Sequence, residues 1–246
     1  MRPLLKGLFF KKIEGGFGMR LSKVFIAVFL SVAIAGLVYA GAGEDSLSKL
    51  QEGNKRFISG ELAKKDIGES RRQELTKGQS PFATVLSCSD SRVAPELIFD
   101  QGLGDIFIVR VAGNVVEPTT LGSIEYGVEH LHTPLLVILG HESCGAVKAT
   151  LDAKGNPEGN IGAILKKIMP AVKTAKKVKK EPKDTLDIAV QENVKNTYKD
   201  VMKSKIVSEL VHEGKLQVVA AEYYLGTGKV EMIDLGTSHG GHKGHH

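Results

Sequence analysis

The chain has 246 residues, 42% hydrophobic and 25% charged, with two cysteines and no tryptophan. That length suits one sizeable domain and is short for two, and the ordinary composition excludes wholesale disorder and repeat architectures. The formal net charge of +5 would suggest an acidic partner if it were spread over the chain, but its source is local.

At the N-terminus, residues 24–40 (VFIAVFLSVAIAGLVYA) form an apolar run behind MRLSK, which carries Arg20 and Lys23. A basic start, an apolar stretch and a small-residue exit read as a secretory signal peptide over 19–40, cut after Ala40 or Ala42. The run falls short of the ~20 residues of a spanning helix, so an uncleaved membrane anchor is the competing reading. Residues 1–18 fit neither a signal nor a domain. The stretch EGGFGM could be translated from a purine-rich ribosome-binding site ahead of a start at Met19, which makes 1–18 the product of a mis-assigned start. Export implies the periplasm in a host with an outer membrane. The leader holds six basic residues (Arg2, Lys6, Lys11, Lys12, Arg20, Lys23) and one acid, Glu14. Removing them from totals of 33 and 28 leaves 27 of each sign. The mature chain is therefore formally neutral, and charge offers no support for a nucleic-acid partner.

From Asp45 to about Arg72 the pattern is helical and polar, with Leu47, Leu50, Phe57 and Ile58 at helix spacing. Three short apolar runs follow, FATVLS (82–87), IFIVR (106–110) and LLVILG (135–140). Between the last two, EPTTLGSIEYGVEHLH sets Pro118 at a helix start and Leu121, Ile124, Val128 and Leu131 along one face. Region 161–212 reads as helices joined around KKEPKDT, and its lysines as a solvated face rather than a binding patch. LQVVAAEYYLGTGKVEMID reads as strand, glycine turn and strand, closing the domain near Leu235. Strand runs of unbroken apolar character separated by helices predict an α/β fold: one domain over 41–235, a mostly parallel central sheet flanked by helices, and an N-terminal helical arm.

The two cysteines stand in SCSDSRVAPE, as Cys88, and GHESCGAVKA, as Cys144 beside His141. Both motifs lie just past the C-terminal ends of predicted strands, the edge where open α/β sheets place ligand sites. Two thiolates and an imidazole make a three-ligand zinc set with one position open, the catalytic pattern. Either cysteine alone would suit a buried apolar site, and the pair would suit a disulfide in an exported protein. Neither alternative explains the neighbouring Asp90, Arg92 and His141.

These two motifs, with GDIFIVRVAGNVV, GSIEYGVEHL and LQVVAAEYYLGTGKVE, resemble the β-class carbonic anhydrases in the family's order over most of residues 45–235. The resemblance implies one Zn²⁺ per chain held by Cys88, His141 and Cys144, and reversible hydration of CO₂ to bicarbonate by zinc-bound hydroxide. Asp90 either takes the fourth metal position or turns away to pair with Arg92, which opens the site. Gln79 matches a substrate-binding amide, and Phe107 and Tyr126 match aromatic walls of a pocket partly built by a neighbouring subunit, in a homodimer or larger assembly. Without the resemblance, Gln79 is an exposed loop amide, Phe107 strand core and Tyr126 a helix contact. Some members inhibit themselves by binding bicarbonate at a tryptophan, an arginine and a tyrosine. Arg110 and Tyr223 match two of these, but the tryptophan position is Val85, which argues against this regulation in the same form. Tyr224 stands where relatives often carry aspartate.

The tail TSHGGHKGHH holds His239, His242, His245 and His246, a compositional signal for an auxiliary metal tail that could gather zinc; a solubilising tail or a purification tag are the plainer readings. Two functions compete with CO₂ hydration: hydrolysis of carbon disulfide or carbonyl sulfide on the same fold, and zinc buffering without turnover. The Asp90–Arg92 pair has no obvious role in buffering.

Overall fold

The apolar runs pair into one five-stranded sheet of order β2-β1-β3-β4-β5. The computed structural model describes residues 41–155, 159–178 and 181–236. The expected leader (1–40), Lys179, Lys180 and the histidine tail (His239, His242, His245, His246) lie outside the described residues. Strands β1 (Ala83–Ser87), β2 (Ile106–Arg110), β3 (Leu135–His141) and β4 (Gln217–Tyr223) run parallel. Strand β5 (Val230–Met232) returns antiparallel to β4 through a turn in which Gly228 has φ +75°.

Every residue of β1 and β3 is buried, as expected for parallel strands covered on both faces. Alternate side chains serve the two sides. Val85, Val137, Leu139 and Ala221 pack with Leu50 and Phe99 on one face, while Leu86, Leu136, Ile138 and Ala220 pack with Ile124, Val128 and Val194 on the other.

Helix α1, described over 41–59, is the expected arm and lies against the chain's own sheet. Asn54 ties it down by donating to the carbonyls of Ile98 and Gly228 (3.1 and 2.8 Å) and accepting from the Val230 N–H at 3.0 Å. At Gly53 the helix comes so near the Phe99 carbonyl that a Cβ would sit 1.8 Å from its oxygen, so no larger residue fits. The helical pattern expected from Asp45 to about Arg72 is broken into two helices. Gly60, in the left-handed region at φ +74°, ends α1, 61–68 carry no helix, and α2 (Glu69–Leu75) is separate. The break lets Asp100 gather this segment, accepting from the Ala63 N–H at 3.1 Å and pairing with Arg56 and Lys65 at 2.5 and 2.7 Å.

The short α3 (Pro95–Ile98) follows β1. Helix α4 (Pro118–Glu125) starts with Pro118 and runs into a π turn over Tyr126–His130, where the Leu131 N–H reaches the Tyr126 carbonyl at 3.1 Å. Helix α5 (Gly145–Asp152) follows β3, and α6 (Ile161–Ala175), α7 (Pro182–Val201) and α8 (Lys205–His212) complete the covering layer. Among the described residues no helix is long and apolar enough to cross a membrane.

Asp100 predicts how the arm responds to pH. Burial alone would raise the Asp100 pKa, but the hydrogen bonds from Lys65, Arg56 and the Ala63 N–H, with the Lys65 charge, together outweigh it and hold the carboxyl below the ordinary carboxylate value. A carboxyl depressed in the fold stabilises fully above its unfolded pKa of ~3.9, and that contribution is lost as pH falls through the lower folded value. Asp100→Asn should lower stability at neutral pH by about 1.5–3 kcal/mol, the range for hydrogen bonds to a charged group. It should also flatten the loss of stability below pH ~4, read by urea denaturation across pH.

Candidate metal centre

Parallel pairing brings the strand ends to one edge. Ser87 registers with Leu139, so Cys88, the next residue after β1, lies level with the end of β3 where His141 is the last residue. Between His141 and Cys144 the chain turns sharply, with Ser143 at φ +55°, a conformation uncommon for a residue with a side chain. The turn points Cys144, the residue capping α5, back toward His141. The ligand atoms of Cys88, His141 and Cys144 all lie within 4.8 Å of one another, and all three residues are buried. Both cysteines are free thiols, so the disulfide alternative does not describe this structure.

The imidazole decides what the cluster is built for. His141 is wholly buried. Its Nδ1 lies 2.9 Å from the Glu142 carbonyl oxygen, to which the protonated nitrogen donates. Its Nε2 is buried with no hydrogen-bond partner. A buried acceptor without a partner is costly, and a metal-binding histidine is commonly fixed through its other nitrogen in this way. Soft sulfurs beside an imidazole suit Zn²⁺, so the donor set fits the expected metal. The Cys144 thiol beside it pulls Cys88 below the ordinary thiol value against the opposing effect of burial, and the Gly113 N–H adds to this. The same close contact with Cys88, with burial adding to the effect, pushes Cys144 up. A cation held by the cluster would favour the thiolate form of both sulfurs.

Asp90 is drawn off to one side. Arg92 grips it with two parallel bonds, Nε to Oδ1 at 2.9 Å and Nη2 to Oδ2 at 2.7 Å, and the Arg92 N–H adds a third to Oδ1 at 3.0 Å. These bonds hold the carboxyl well below the usual carboxylate range, the Arg92 side chain contributing most. Asp90 Oδ2 still lies only 3.9 Å from His141 Nε2. The Asp90 side chain is 17% exposed and that of Arg92 52%, so the pair sits where the buried cluster meets solvent.

The remaining expected site residues do not converge on this cluster within one chain. Gln79 lies in the loop ahead of β1, where it lines a surface pocket with Arg71, Lys77 and Gly104, so the whole strand separates it from Cys88. Phe107 registers with Thr84, four residues before Cys88 and about 13 Å back along the strand. Its ring lies 5.9 Å from that of Tyr126, which is 46% exposed.

Other residues at this edge carry roles that residue types alone did not reveal. Arg110 donates to the main-chain carbonyls of Cys88 and Asp90, and the Gly113 N–H points at Cys88 Sγ from 3.3 Å. Glu222 is a buried carboxyl on β4 whose pKa is raised by burial. It accepts from Gln191 at 3.1 Å and from the Tyr224 hydroxyl at 3.4 Å. That contact gives a physical account of Tyr224: an aspartate there would set a second carboxylate beside Glu222, whereas tyrosine brings a donor.

Comparison with known proteins agrees with this geometry. A family model described as carbonic anhydrase matches residues 83–230. A carbonic anhydrase of Mycolicibacterium smegmatis is 41% identical over 187 residues, 74% of this chain and 89% of the relative. Carbonic anhydrase 2 of Mycobacterium tuberculosis is 40% identical over 189 residues, 75% of this chain and 90% of that one. Among solved structures, a tetrameric β-carbonic anhydrase of Sordaria macrospora superposes with a TM-score of 0.61 at 27% identity, covering 66% of this chain and 85% of the other. On the order of its motifs, the parallel sheet that carries them and these relatives, the chain belongs to the β-class carbonic anhydrases.

Proposed function

We propose that this enzyme binds one Zn²⁺ through Cys88, His141 and Cys144 and catalyses the reversible hydration of CO₂ to bicarbonate and a proton. The observation that carries the reading is the buried, unpartnered Nε2 of His141 beside two thiols, with the nearest carboxylate held away by Arg92. Three protein donors leave one position for solvent, as catalytic zinc sites do. When bound, the metal supplies Lewis acidity that makes hydroxide available as a nucleophile near neutral pH.

The chain's own residues do the rest. Glu142 fixes the His141 ring through Nδ1, so Nε2 keeps its aim. Burial of both sulfurs and the ring excludes bulk water from the ligands' rear side and strengthens the local field. Asp90, ionised throughout the working pH range, offers only acceptors. Its Oδ2 can accept a hydrogen bond from an attacking water molecule and so orient that oxygen toward the carbon of CO₂. Arg92 holds Asp90 in place by charge-assisted bonds, and its exposure opens a route by which the released proton reaches buffer.

Substituting Asp90 separates catalysis from zinc storage. Asp90→Asn should keep about one zinc per chain while turnover falls about 10²–10³-fold, the usual scale for losing one preorganised hydrogen-bonding partner of the reacting atoms. Zinc measured on the same sample used for stopped-flow hydration checks this, and unchanged turnover would remove Asp90 from the mechanism. If wild-type protein, fully loaded with zinc, turns over carbon disulfide or carbonyl sulfide and leaves CO₂ untouched, the substrate assignment is wrong.

Gln79, Phe107 and Tyr126 belong to this proposal as residues lent to a neighbouring subunit's pocket. The exposed Tyr126 ring packs on Phe107 of β2, the strand at the outer edge of the sheet, and the Sordaria relative is tetrameric. Light scattering should give a dimer or larger assembly. Gln79→Ala should raise KM about 5–10-fold, near the ~1 kcal/mol of a lost hydrogen bond, with zinc content unchanged. A monomer with full activity would contradict the shared pocket. Export to the periplasm belongs to the same proposal, resting on the leader sequence alone.

A further inference from the structure

We propose that Arg110 is a positioning residue of the metal centre, strapping the main chain of Cys88–Asp90 so that Asp90 stays turned toward Arg92 and away from the ligands. The inference rests on the zinc reading above and deepens it. Arg110 ends β2 opposite Ser87, so its side chain emerges beside the ligand segment. Its Nε donates to the Cys88 carbonyl at 3.1 Å and its Nη2 to the Asp90 carbonyl at 2.7 Å. One rigid, planar group thus fixes two carbonyls two residues apart, a geometry that a point-charge donor cannot copy.

The strap has a firm root. The Val111 N–H donates to the Ser87 carbonyl at 3.1 Å, and the Gly113 N–H reaches Cys88 Sγ at 3.3 Å. Behind them, Asn193 and Thr197 of α7 donate to the carbonyls of Gly113 and Asn114 at 2.8 and 3.2 Å, both in buried surroundings. Gly113 is left-handed at φ +68°, and a Cβ there would lie 2.7 Å from Ile168 Cδ1. The segment that presents Arg110 is therefore locked into the helical layer.

Asp90 needs such a restraint. The pair with Arg92 sits at the solvent boundary, and it joins two residues of one short segment without anchoring that segment's main chain to the rest of the fold. Oδ2 lies 3.9 Å from the ligating nitrogen, so a small turn of the main chain would bring the carboxylate into competition for the fourth metal position. The bond to its own carbonyl opposes that turn. This role differs from the anion-binding one that resemblance implied for Arg110. Here two of its donors are spent on carbonyls, and the position matching the family's tryptophan is Val85, fully buried in the core.

The test uses the full chain loaded with Co²⁺, whose visible absorption reports its coordination, titrated with azide to probe the open position. Four proteins are compared: wild type, Arg110→Lys, Asp90→Ala and the double variant. Arg110→Lys should bind one cobalt per chain yet take azide about tenfold or more weakly than wild type, the scale of a lost outer partner of a metal site. Asp90→Ala and the double variant should bind azide equally, because the strap acts through Asp90. Wild-type affinity in Arg110→Lys, or equal weakening with and without Asp90, would overturn the inference. Loss of cobalt from Arg110→Lys alone would overturn it too, by making Arg110 a residue of metal retention. Failure of the wild type to load cobalt or zinc would instead bring down the metal reading itself.

Discussion

Two sulfurs and an imidazole nitrogen share one buried volume less than 5 Å across, and that crowding constrains everything around it. Two sulfurs this close oppose each other's ionisation, and the buried His141 Nε2 has no hydrogen-bond partner. Such an arrangement is unfavourable as a resting core and makes sense as a cation's cage. The parallel sheet provides it. Adjacent strands running the same way end at the same edge, so residues 53 positions apart in sequence, Cys88 and His141, meet without a long loop.

Around this cage the protein separates charges by depth. Cys88, His141 and Cys144 are buried, the Asp90–Arg92 pair sits at the boundary, and solvent lies beyond Arg92. A carboxylate so close to a cation site would ligate it unless held elsewhere. Holding it requires side-chain charge, supplied by Arg92, and a fixed main chain, supplied from β2 and α7. The same edge holds a second carboxyl, Glu222: burial raises its pKa, while hydrogen bonds from Gln191 and Tyr224 satisfy its oxygen and oppose that rise.

Much of this was legible in the sequence because strand core and ligands advertise themselves. FATVLS, IFIVR and LLVILG became β1, β2 and β3 to within a residue or so, since unbroken apolar runs have few other uses. That Cys88, His141 and Cys144 cluster follows from residue type at strand ends. The break at Gly60 was hidden because helical periodicity in 45–72 continues across it, and the competing demand comes from Asp100, far along the chain. The grip of Arg110 needs its register opposite Ser87, which no local pattern encodes, and a main-chain donor such as the Gly113 N–H has no side-chain signature at all. Glu222 did leave a trace, a lone charge inside AAEYY, but a charge in a strand does not reveal whether it faces solvent or a buried amide. Gln79, Phe107 and Tyr126 were flagged by resemblance alone, and a single chain does not bring them to the cluster.

The central claim is that the buried cluster is a catalytic zinc site rather than a store. Stopped-flow CO₂ hydration from pH 6.5 to 9 on the chain from Gly41, with zinc determined on the same sample, tests it most directly. The expected result is about one zinc per chain, as a single three-donor site requires, and rapid hydration that disappears on chelation and returns with zinc. Full zinc occupancy with no hydration at any pH in that range would contradict it.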